Sequence, residues 1–81
     1  MEQHFDESVL AACVRQELEQ YFKDLDGEAP AGIYDMVVHC VERPILEMTL
    51  ERAGSNQSRA AEWLGINRNT LRKKMQKHGI K

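Results

Sequence analysis

One short segment limits this chain more than any other. Between residues 57 and 77 the small and apolar side chains fall as Ala60-Ala61, Leu64, Gly65, Ile66, Leu71 and Met75. Adjacent alanines let two helices approach closely, and Gly65 can take the positive φ of a sharp corner. Leu64, Ile66, Leu71 and Met75 then fill the angle between the helices. Asn56 is placed to cap a short helix over 57–64 and Asn67 to cap another over 68 to about 77, with Gly79 as its stop. Gly54 and Ser55 fall where a preceding helix must end. This spacing reads as a helix-turn-helix. Taken alone it is moderately specific, because many short helix pairs contain A-x-x-x-G, so charge has to be weighed with it.

The charge is segregated. Residues 1–51 hold three basic side chains (Arg15, Lys23, Arg43) against twelve acidic ones, a net of −9. Residues 52–81 hold eight basic side chains against Glu62, a net of +7, so that an 81-residue chain of net −2 concentrates its positive charge at one end. A single-sign block of this kind is an electrostatic footprint for a polyanion. The competing reading is a solvated helix face, and charge alone does not choose between them. The motif does. On helix 68–77, Leu71 and Met75 point inward at i, i+4. Asn69, Lys73 and Gln76 point away, flanked by Thr70, Arg72 and Lys77, with Arg68 at the N-terminal tip. A helix about 10–12 Å across fits a major groove about 12 Å wide. The expectation is double-stranded DNA, with helix 68–77 as the recognition helix.

The rest of the chain reads as two longer helices. Val9, Leu10, Cys13, Val14, Leu18, Tyr21, Phe22 and Leu25 recur at three- and four-residue steps, predicting a helix over about 7–25 with Asp6 as N-cap. The segment Asp26-Gly-Glu-Ala-Pro-Ala-Gly32 is the loop. A second helix is expected over about 33–53, its apolar stripe formed by Ile33, Met36, Val37, Cys40, Val41, Ile45, Met48 and Leu50. Pro44 is expected to kink it rather than end it, because the apolar spacing stays in phase on both sides. Both stripes are broad and little chain remains to cover them. A domain this small buries only roughly 60% of its unfolded surface. Two helices from each of two copies forming a four-helix core would cover both stripes. The alternative is a monomer whose C-terminal helices cover them. The expected architecture is therefore all-α and a single domain: residues 1–53 for homodimerisation and 54–81 for the helix-turn-helix.

Other chemistries are poorly supplied. Cys13 and Cys40 form neither a C-x-x-C pair nor a zinc pattern with the histidines, and their positions suit small buried hydrophobes, so no metal or cofactor is expected. His39 and Cys40 are adjacent and point to different sides of a helix, while His4 and His78 stand alone. No nucleophile–base pair follows, and an enzyme with a small-molecule substrate is not expected. The carboxylates of residues 1–51 read as a solvated face that keeps that end of a dimer off the duplex. No run approaches the roughly 20 apolar residues of a membrane span. The start, MEQHFDES, is acidic and lacks an apolar core, so a cytoplasmic chain complete from Met1 is expected.

The stretch ERPILEMTLERAGSNQSRAAEWLGINRNTLRKKMQKHGI closely resembles the C-terminal part of the Fis family (factor for inversion stimulation) of bacterial nucleoid-associated proteins. The likeness is dense from Pro44 to Ile80 and weaker from about Val9. The N-Q-[ST]-R-A-A and G-I-N-R-x-T-L-R-K-K elements carry it. The resemblance implies an intertwined homodimer with a helix-turn-helix at each end, bending DNA at degenerate sites, located on the nucleoid and acting in transcription regulation with the transcription machinery as a partner. By matching position it implies phosphate contacts from Asn56, Ser58, Arg72, Lys73 and Lys74. Asn67 and Arg68 would reach base edges, and Thr70 would add a backbone-side hydrogen bond. Lys74 lies nearer the inner face by angle than Lys73.

The chain departs from the family pattern at Ser55 and Asn69, where glycine is common, and at Gln76, where lysine is common. It also has seven residues, MEQHFDE, where longer members carry an arm that touches a recombinase. The same helix-turn-helix is similar to the C-terminal domain of enhancer-binding regulators of the nitrogen regulatory protein C class. There it follows an ATPase domain, and this sequence has no Gly-rich phosphate loop. A dimeric interaction module with no nucleic-acid role is the remaining alternative.

Overall fold

The computed structural model describes residues 8–81, which form four helices: α1 (Val9–Leu25), α2 (Ile33–Arg52), α3 (Gln57–Leu64) and α4 (Arg68–Lys77). The chain divides into two units, one ending at Val37 and the other running from Val38 to Lys81, and α2 passes through the boundary.

In the first unit, Ser8 caps α1, its hydroxyl accepting from the Ala11 N–H at 3.1 Å. The expected cap, Asp6, and the expected first helical residue, Glu7, lie outside the described residues. Asp26 ends the helix in the left-handed region at φ 51°, with Gly27 following at φ 91°, and its N–H returns to the Lys23 carbonyl. No side chain of α1 is buried. Val9 is 88% exposed, and Leu10 and Phe22 are also exposed, although all three belong to the apolar stripe read from the sequence. Cys13 in this unit and Cys40 in the second, expected to be buried, are both exposed free thiols.

The second unit holds the hydrophobic core. Its buried apolar residues are Leu46, Leu50 and Ala53 from the end of α2, Ala60 and Ala61 from α3, and Leu71 and Met75 from α4. Leu64, Ile66 and Ile80 close its margins. Here the expected stripe on α2 needs correcting. Leu46 is 1% exposed and Leu50 is buried, whereas Ile45 and Met48 are exposed. At about 100° per residue, Leu46, Leu50 and Ala53 lie roughly opposite the stripe that runs from Ile33 to Met48. This helix has two apolar faces, and its own chain buries the one that carries Leu46. It continues through Pro44, which removes one intrahelical hydrogen bond without ending the helix.

The turn chemistry matches the local sequence. After α2, Gly54 and Ser55 take φ 66° and 63°, and the Ser55 N–H bonds back to the Leu50 carbonyl at 2.8 Å. A left-handed serine is strained by its Cβ, which is the physical reason glycine suits this position. Gly65 takes φ 77° between α3 and α4, and the Ile66 N–H reaches the Ala61 carbonyl at 3.0 Å, drawing Ile66 under the corner.

Candidate nucleic-acid interface

The two helices of the motif are fixed from their ends inward. Asn56 Oδ1 accepts from the Arg59 N–H at 3.0 Å and Asn67 Oδ1 from the Asn69 N–H at 2.7 Å. Each cap satisfies a backbone donor at a helix start that has no intrahelical partner. Each also leaves the asparagine NH₂ free to donate outward, the polarity an anionic oxygen or a base acceptor requires. Ala60 and Ala61 are almost wholly buried, so α3 and α4 meet across side chains of one carbon.

On α4 the division of labour is clean. Leu71 is 0% exposed and Met75 is buried, which fixes the inner face. Arg68, Asn69, Thr70, Arg72, Lys73, Gln76 and Lys77 are exposed, as are Asn56 and Ser58 at the start of α3. Of the side chains assigned to nucleic acid on sequence grounds, all but one therefore face solvent. The exception is Lys74, whose Nζ donates to Glu42 Oε2 at 2.6 Å, with the lysine side chain 35% exposed and the glutamate 13%. The other carboxylate oxygen, Oε1, is 2.8 Å from His78 Nε2. Hydrogen bonds first from Lys74 and then from His78 hold the Glu42 carboxyl below its usual range, against a smaller opposing effect of burial.

Sequence spacing does not reveal this polar group, since it leaves His78 standing alone and the carboxylates of residues 1–51 on a solvated face. His78 instead stacks on His39, ring centroids 4.3 Å apart, and its side chain is wholly buried. Arg43 donates from Nη1 to the His78 carbonyl at 2.5 Å while its Nε pairs with Glu47 at 3.2 Å. A signal existed. His39, Glu42, Leu46, Leu50 and Ala53 share one side of α2 at helical spacing, so the buried leucines carry the polar residues one and two turns earlier toward α4.

A tight helix pair with an apolar inner seam and a second helix that is basic on its solvent side defines a helix-turn-helix protein. Comparison with known proteins gives the family. Residues 39–78 match the family of bacterial regulatory proteins called the Fis family. A Fis-like DNA-binding protein of Neisseria meningitidis serogroup A is 58% identical over 71 residues, covering 88% of this chain and 90% of that protein. One from Ralstonia nicotianae is 59% identical over 68 residues, 84% of this chain and 88% of the relative. The DNA-binding protein Fis of Glaesserella parasuis is 45% identical over 67 residues, 83% of this chain and 68% of its own. The chain belongs to the Fis family. Among the described residues no helix is long and apolar enough to cross a membrane.

Proposed function

We propose that this chain is a homodimeric DNA-binding and DNA-bending protein of the bacterial nucleoid that regulates transcription, inserting α4 into the major groove at degenerate sites. The observation that carries the reading is the two-sided α4. Leu71 and Met75 anchor its inner face, and the outer face presents arginine, lysine and asparagine to solvent with no acidic side chain among them. Arg68 and Asn67, at the N-terminal tip, are assigned to base edges. Asn56, Ser58, Thr70, Arg72 and Lys73 are assigned to phosphates and the backbone, whereas Lys74 is held by Glu42. Dimerisation is supported by the first unit, where α1 buries none of its apolar residues within the described chain. A second copy is the partner whose matching stripes would cover them.

Salt dependence tests the reading. If a dimer neutralises about ten phosphates, log K should fall with log salt at a slope near −9. Lys73→Ala should weaken binding to every sequence alike and make that slope shallower. A slope near zero in the unaltered protein would mean that the +7 segment is a solvated surface.

A further inference from the structure

Consecutive residues of α2 grip the end of the recognition helix. Glu42 offers one carboxylate oxygen to Lys74 Nζ and the other to His78 Nε2, at 2.6 and 2.8 Å. Arg43 donates to the His78 carbonyl, one of the acceptors that a helix C-terminus leaves without an intrahelical partner and that a cation suits. His39 closes the group by stacking on the His78 ring. Lys74 in α4 and its C-cap His78 are four apart, about one helical turn, so a single carboxylate fixes both the azimuth and the height of that end of the helix.

We infer that Glu42 and Lys74 form a latch that sets the orientation of α4, making Lys74 a positioning residue for DNA recognition rather than a phosphate ligand. The inference rests on the DNA-binding reading above. Geometry supports it in two ways. Moving the Lys74 ammonium to a phosphate would leave a carboxylate that is only 13% exposed with the His78 ring as its remaining partner, and breaking a charge pair at such a site is costly. The latch also acts at a distance. Arg68 lies ten residues before His78, about 15 Å along the helix axis, so a small tilt at the latch becomes a displacement of about an ångström at the tip. A bidentate contact to a base tolerates only about 0.5 Å of misplacement. Glu42 should therefore favour specific binding although its charge opposes the polyanion.

The test uses the full-length chain, a duplex selected by the unaltered protein from a random pool, and a random-sequence duplex of equal length. Lys74→Met, Glu42→Gln, the double variant and Lys73→Ala are each measured across salt, with circular dichroism melts to confirm folding. The latch predicts that Lys74→Met leaves the salt slope unchanged and lowers the ratio of selected to random affinity severalfold. It also predicts that Glu42→Gln lowers the same ratio and that the double variant is no worse than either single one. A slope that becomes shallower by about 1.8 in Lys74→Met, one phosphate per protomer, would make Lys74 a phosphate ligand and overturn the latch. Tighter binding of every duplex by Glu42→Gln would overturn it as well, leaving the carboxylate as a repelling charge. Should Glu42→Gln fail to fold, the partly exposed Lys74→Met decides. A near-zero slope in the unaltered protein sinks the DNA reading and the latch together, whereas a steep one with either overturning result sinks the latch alone.

Discussion

Leu71→Ala is the substitution to which the helix-turn-helix should be most sensitive. Leu71 is 0% exposed and belongs to a core of seven buried apolar residues among the described ones, three of them already alanine. Three carbons would be removed from it, a transfer loss of about 2.4 kcal/mol at about 0.8 kcal/mol each. The surrounding residues can close the gap only partly, since Leu46 comes from α2, the alanines from α3 and Met75 from the next turn of α4. A cavity contribution brings the expected cost to about 3–4 kcal/mol. For a domain of this length total stability is roughly 4–12 kcal/mol, so the loss is a large fraction of it. Urea unfolding followed by circular dichroism, at one fixed protein concentration, should show a midpoint lowered accordingly with little change in slope. DNA binding should fall as the folded fraction falls, equally for selected and random duplexes. A cost under about 1 kcal/mol would mean that α3 and α4 are not held together through this residue, and the proposed rigid presentation of Arg68 would lose its basis.

The remaining expectations can be checked in the same preparations. Sedimentation equilibrium should give about twice the 9.3 kDa chain mass, with an unfolding midpoint that rises with protein concentration; a folded, concentration-independent monomer would refute the dimer. Arg68→Ala should flatten the preference for guanine in each half-site, a contact worth roughly 1–3 kcal/mol, and largely spare nonspecific binding. Equal loss on every duplex in competition assays would make Arg68 a phosphate clamp instead. Glu42 is more acidic folded than unfolded, so its contribution to stability is present above its ordinary value near 4.5 and disappears as pH falls through the lower folded value. Glu42→Gln should accordingly be less stable than the unaltered protein at neutral pH and should converge with it in acid, as read from unfolding midpoints across that range.

Local chemistry determined the bounds of α3 and α4. The asparagine caps, the positive φ of Gly65 and the alternation of Leu71 and Met75 with polar residues are nearest-neighbour effects, and α3 and α4 begin and end where those residues require. Charge segregation placed the basic face by the same reasoning, because a side chain's sign does not depend on the fold. Periodicity shows one apolar stripe on α2, without Leu46 or Ala53, and it does not say which face a chain buries itself. That choice depended on α3 and α4 folding back, and it selected Leu46 and Leu50 over Ile45 and Met48. Tertiary structure likewise decided the fate of Lys74. By sequence pattern it is a cation of a basic helix set nearer the inner face by angle, and only the approach of Glu42, thirty-two residues away, drew its ammonium inward. No local rule anticipates such a pair, since its attraction exists only once two distant turns share a low-dielectric seam.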